Sequence, residues 1–122
     1  MFIINMEDIL RERAKNYYII ASIAEKKGMY AESISNYFKS LFALCDFILY
    51  KKIKQIPKDH SERFSLLKIN DKYLYSTLDV LFSTYRETYT KILNIKQVIH
   101  VKEKIKMVFE YAKINIPTQK NM

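Results

Sequence analysis

The sequence predicts an all-α fold: an antiparallel bundle of four long helices plus one short helix. Residues 1–116 form a single bundle domain in this reading, and 117–122 form a flexible C-terminal tail. Three observations predict it. One glycine and two prolines in 122 residues are too few for the turns of a β fold or the tight connections of an α/β fold. Apolar residues recur at three- and four-residue steps through four long segments, and no stretch alternates with the period of a strand. Short breaks separate the first segments, so consecutive helices must double back on each other.

The first segment, from about Glu7 to Lys27, aligns Leu10, Ala14, Tyr17, Tyr18, Ala21 and Ala24 on one face. Its alanines let a neighbouring helix come close. Lys26 and Lys27 fall in the last turn, where cations suit the helix dipole. Gly28 then occupies the position past the helix end, where positive φ costs a glycine little. The second segment, about Tyr30 to Lys52, carries Ile34, Phe38, Leu41, Phe42, Cys45, Ile48 and Leu49. It is the most apolar helix and is expected at the centre. Asp46 sits among those apolar residues, so it either faces a groove or needs a partner.

Pro57 biases Ile56 away from helix, and a short helix capped by Asp59 or Ser61 is expected next, anchored by Phe64, Leu66 and Leu67. A fourth segment, about Lys72 to Leu93, places Leu74, Leu78, Leu81, Phe82, Tyr85, Tyr89 and Ile92 along one stripe. The fifth, about Lys96 to Asn115, uses Val98, Val101 or Lys102, Ile105, Val108, Phe109 and Ala112. Pro117 ends helical structure there.

Composition narrows the functional classes. A chain of this length can bury roughly two-thirds of its unfolded surface, so it needs no staple. Cys45 is the single cysteine, which excludes an internal disulfide and a cysteine-based zinc site and fits a reducing interior. The start "MFIINMED" is too short and too soon acidic for a signal peptide, and no apolar run approaches a membrane span. The expectation is a cytoplasmic protein without membrane contact. Two histidines 40 residues apart make no metal site, and no glycine-rich phosphate loop or paired carboxylate motif suggests a cofactor. The formal charge of +8 permits contact with phosphates without specifying a ligand.

The run "AKNYYIIASIAEKKGMYAESISNYFKSLFALCDFILYKKIKQIPKDHSERFSLL" combines a first helix rich in small residues with a Gly28–Tyr30 turn. A very apolar second helix and a Pro57-Lys58-Asp59-His60 connection into a short helix follow. Together with "LDVLFSTYRETYTKIL" and "VKEKIKMVFEYAKINI" downstream, this pattern resembles the HEPN domain (higher eukaryotes and prokaryotes nucleotide-binding) over nearly the whole chain. The same Gly–Tyr turn is also similar to a tetratricopeptide repeat, but no second copy follows, and a lone repeat cannot bury its faces. The HEPN resemblance implies a mostly antiparallel, usually dimeric bundle, often paired with a small nucleotidyltransferase. Ribonucleases of that family carry Arg-x(4–6)-His. Here "ETYTKIL" follows Arg86 with no histidine at that spacing, so the ribonuclease motif is absent.

Two clusters are candidate sites. His60 with Asp59, Ser61 and Arg63 reads either as acid–base chemistry or as a helix start, with Asp59 or Ser61 the cap and Glu62 favoured in the first turn. Arg86 with Tyr85 and Tyr89 offers a guanidinium beside phenols, suited to a phosphate and a stacked base. The plainer alternative pairs Arg86 with Asp79 or Asp46. Catalytic candidates are therefore Arg86, Tyr89 and His60. Candidate nucleotide or nucleic-acid contacts are Lys51, Lys52, Lys54, Lys58, Arg63 and Arg86. The favoured expectation is a non-catalytic, homodimeric HEPN-like module that binds a nucleotide, RNA or a nucleotidyltransferase-type partner. A divergent, toxin-like, metal-independent ribonuclease using Arg86 and Tyr89, and a helical protein–protein adaptor, are the alternatives.

Overall fold

The centre of the structure, a computed structural model describing residues 5–118, is one helix whose middle has no free side. Side chains 41–49 are all buried in the second helix. Among the described residues every regular element is helical: α1 (Met6–Lys26), α2 (Tyr30–Ile53), α3 (His60–Asn70), α4 (Lys72–Glu87) and α5 (Ile95–Ala112). The all-α expectation is met. Of the tail expected at 117–122, residues 119–122 lie outside the described residues, and Pro117 and Thr118 are not helical.

Helix α1 starts at Asn5, whose side chain accepts from the Asp8 amide at 2.9 Å, and ends in a paired turn. The Met29 amide donates to the Ala24 carbonyl and the Gly28 amide to that of Glu25. Gly28 takes φ +74° there, the left-handed conformation this closure demands. The turn folds α2 back along α1. Ser33 Oγ donates to the Ala21 carbonyl at 2.8 Å and Ser40 Oγ to that of Ala14 at 2.7 Å, so α2 runs up as α1 runs down. The small residues Ala14 and Ala21 expose those carbonyls to a neighbour. The Tyr18 ring then meets Tyr37 of α2 and Phe109 of α5 edge-to-face, at 5.3 and 5.4 Å, the arrangement ring quadrupoles favour.

A capping box starts α5: Asn94 accepts from the Gln97 amide while the Gln97 side chain accepts from the Asn94 amide. Val101 is the core residue, and Lys102 turns to Glu25 at 3.5 Å. The end of α4 differs from expectation. The helix stops at Glu87 rather than near Leu93. Past it, the Tyr89 and Thr90 amides reach only three residues back, and Thr88 Oγ1 bonds the Tyr85 carbonyl at 2.7 Å. Such local bonds compete with continued helix. Ile92, expected on the core stripe, is therefore fully exposed, while Leu93 turns inward.

Asp71 joins α3 to α4 alone, ending the one and capping the other. Its Oδ1 accepts from the Leu74 amide at 3.0 Å, and its Oδ2 from Lys52 Nζ at 3.0 Å and Tyr111 Oη at 2.8 Å. Burial opposes ionisation, yet these donors outweigh it and hold the carboxyl below its ordinary range. Asp71→Ala removes a cap and two side-chain hydrogen bonds whose donors can turn to solvent, and is expected to cost about 1–2 kcal/mol. Tyr111→Phe is expected to cost about 1 kcal/mol, both read from urea denaturation midpoints.

Candidate functional site

Asp46 lies in the fully buried stretch of α2, where an unpaired carboxylate would be costly. Its partner is Arg63 of α3. Nε donates to Oδ1 at 2.8 Å and Nη2 to Oδ2 at 2.9 Å, the two-pronged geometry in which arginine binds carboxylates most strongly. The guanidinium also covers the Phe42 ring, 4.9 Å from its centroid. Burial alone would lower the Arg63 pKa, but its bonds to Asp46 outweigh that and raise it.

The loop before α3 sets this contact. Asp59, extended at φ −157°, accepts from the Glu62 amide at 2.8 Å. Asp59 rather than Ser61 is thus the cap, and "DHSERF" is a helix start. His60 is the first helical residue, one turn before Arg63, so both side chains share a face. Arg63 Nη1 lies 2.7 Å from His60 Nδ1. A guanidinium can only donate, so Nδ1 is the acceptor and the neutral ring carries its proton on Nε2. Burial, then the adjacent Arg63 charge, lowers the His60 pKa from 6.5, with Asp46 and Asp59 opposing without prevailing.

Aromatic rings surround the imidazole: Phe42 at 4.5 Å, Phe82 at 5.6 Å and Tyr85 at 5.9 Å between centroids. Tyr85 Oη lies 3.1 Å from Tyr89 Oη. Burial, and then that hydrogen bond, push the Tyr85 pKa up to about 12. His60, Tyr85 and Tyr89 thus form one chain of contacts running from core to surface, where Tyr89 is 72% exposed. Arg86 stands apart from it. Its guanidinium lies over Phe82, 5.4 Å from the centroid, and meets Tyr89 only through the backbone. The expected pairing of Arg86 with Asp79 or Asp46 is not formed, because Asp46 is taken by Arg63 and Asp79 points to solvent.

The other candidates are dispersed. Lys52 binds Asp71, Lys54 lies 3.7 Å from Glu7, and Lys58 lies 3.7 Å from Glu62. Lys51 is over the Phe47 ring at 5.3 Å. Arg63 is buried and committed to Asp46 and His60, which leaves it no open face for phosphate. Sequence reasoning missed the Asp46–Arg63 pair, although the polar residue inside the apolar stripe of α2 was its signal. Among the described residues no group of three His, Cys, Asp or Glu side chains could hold a metal, and no helix is long and apolar enough to cross a membrane. No protein family, curated protein or solved structure matches this chain.

Arg63→Met leaves Asp46 buried and uncompensated and is expected to cost about 3–5 kcal/mol. Adding Asp46→Leu should recover most of that loss, which a denaturation double-mutant cycle would measure. The depressed His60 pKa gives a second expectation. The unfolded chain binds this proton more readily than the folded one, so the stability present above pH 6.5 is lost as pH falls from there through the folded pKa. His60→Gln, which keeps an acceptor for Arg63, should flatten that part of the urea-midpoint profile relative to wild type.

Proposed function

We propose that this chain is a non-catalytic, HEPN-like binding module, a homodimer of mostly antiparallel helical bundles that engages RNA, a nucleotide or a nucleotidyltransferase-type partner. The observation that carries the reading is the hydrogen bonding of the half-buried His60 cluster. His60 Nδ1 is occupied by Arg63 and its pKa is depressed, so the ring presents an N–H and no free base. Tyr85 keeps its proton to about pH 12. General acid–base cleavage needs groups that exchange protons near the working pH; here the acceptor nitrogen of His60 is taken by Arg63 and the Tyr85 pKa is pushed well above neutrality.

Binding is better served. Arg86 and Tyr89 are exposed beside the aromatic cluster, and an arginine with an open phenol suits a backbone phosphate and an unstacked base. Lys51, free of carboxylate partners among the described residues, is a second exposed cation, carried separately on α2. The test is anisotropy of a labelled single-stranded RNA across a salt series, with cleavage followed on gels. Wild type is expected to bind without cleaving. Tyr89→Ala should lose about 1–3 kcal/mol of binding, and Arg86→Ala should reduce the salt slope by about one. Cleavage that disappears in Arg86→Ala would replace this reading with the ribonuclease. RNA binding unaffected by either substitution would turn the search to a protein partner.

A further inference from the structure

Away from the His60 cluster, and sharing no residue with it, α1, α5 and the chain after α5 border a half-open cleft of about 360 Å³. That is within the size range of small-molecule sites. Tyr18, Ser22 and Glu25 line its inner wall and Lys26, Lys102 and Lys106 its rim. Three lysines therefore face one carboxylate.

The inner wall is ordered by bonds within the protein, with two atoms left over. Ser22 Oγ and Tyr37 Oη lie 3.1 Å apart, Tyr37 Oη donates to Glu25 Oε1 at 2.8 Å, and Lys102 Nζ approaches the same oxygen at 3.5 Å. Glu25 Oε2 has no partner among the described residues. Tyr18 is only 2% exposed, and its hydroxyl also makes no hydrogen bond among them. Among the described residues no side-chain oxygen or nitrogen sealed from solvent is left without a partner. The residual exposure of Tyr18 is therefore at its hydroxyl, and the cavity is the space it lines. Burial, followed by the Glu25 and Glu103 charges, raises its pKa to about 12, so it stands as a donor at neutral pH.

We propose that this cavity binds a small phosphomonoester bearing free hydroxyls, of the sugar-phosphate class. The lysine rim would take the phosphate, while Tyr18 Oη and Glu25 Oε2 would take the hydroxyls. Lys26 forms no ion pair among the described residues, and Lys106 is held only by exposed Glu103 of its own helix at 3.4 Å. Both can turn to a dianion without uncovering a buried charge. A carboxylate beside the cations disfavours a bare anion and favours a ligand that brings hydroxyl donors to it.

The test is calorimetric titration of the full chain with ribose 5-phosphate, inorganic phosphate and ribose. Ribose 5-phosphate is expected to give saturable heat, with affinity about tenfold or more above either fragment. Tyr18→Phe keeps the ring contacts with Tyr37 and Phe109. It should leave the denaturation midpoint unchanged and weaken ribose 5-phosphate by about tenfold. Lys106→Ala should weaken ribose 5-phosphate and inorganic phosphate alike. Ribose 5-phosphate binding no tighter than inorganic phosphate would overturn the proposal and leave a simple cationic surface. So would wild-type affinity in Tyr18→Phe, or a loss of stability in that variant, which would give its hydroxyl an internal role. RNA binding through Arg86 and Tyr89 is read separately and stands or falls without this result.

Discussion

A carboxylate on the most deeply buried part of the central helix sets conditions that its surroundings must meet. Asp46 is ionic in a region otherwise filled by Leu41, Phe42, Leu44, Cys45, Ile48 and Leu49. Desolvating one such charge without a partner costs several kcal/mol. Arg63 meets that requirement, and its two-pronged geometry fixes both the distance and the rotation of α3 against α2. The consequences pass outward. Guanidinium placement over Phe42 closes the apolar layer, its third contact fixes the His60 tautomer, and His60 in turn packs against α4 through Phe82 and Tyr85. An apolar pair could fill the same space at similar stability. What the ion pair adds is a directional constraint on how α3 docks.

The surface charge is less available than the formal +8 suggests. Lys52, Lys54, Lys58 and Lys91 each lie beside a carboxylate, as do Lys102 and Lys106. Exposed pairs of this kind contribute little stability, but they disperse the positive field. Two cations without a carboxylate partner among the described residues border polar groups: Arg86 near Tyr85 and Tyr89, and Lys26 at the rim over Tyr18. Both places combine a phenol with a nearby cation, one at the surface and one recessed.

The fold class was legible because scarce glycine and sustained helical periodicity point the same way. The Gly28 turn and the start of α3 could be read from local chemistry, since capping depends on neighbours a few residues away. The end of α4 could not. Periodicity continues through Tyr89 and Ile92, and only Thr88 back-bonding and the strong Asn94–Gln97 start of α5 end the helix early. The site was half legible for a related reason. Asp46 announced a need for a partner, but the choice between Arg63 and Arg86 depends on how α3 and α4 sit against α2, which no local pattern encodes. Arg63 accordingly looked like a phosphate contact in a basic, histidine-bearing loop. Tyr18 was read as core from its position on the α1 face, which is correct for its ring and silent about its hydroxyl.

The single residue between α3 and α4 has a mechanical consequence. A longer connection would let two helices change their angle by rotating a few backbone bonds. Here the Asp71 amide makes the last bond of α3, its carbonyl and side chain accept the first bonds of α4, and Lys52 from α2 and Tyr111 from α5 grip the same carboxylate oxygen. Any swing of α4 relative to α3 must break a cap or release one of those grips. The pair therefore behaves as a rigid bracket. A disturbance at the exposed end of α4, beside Tyr89, has little compliance to absorb it before it reaches α2 and α5.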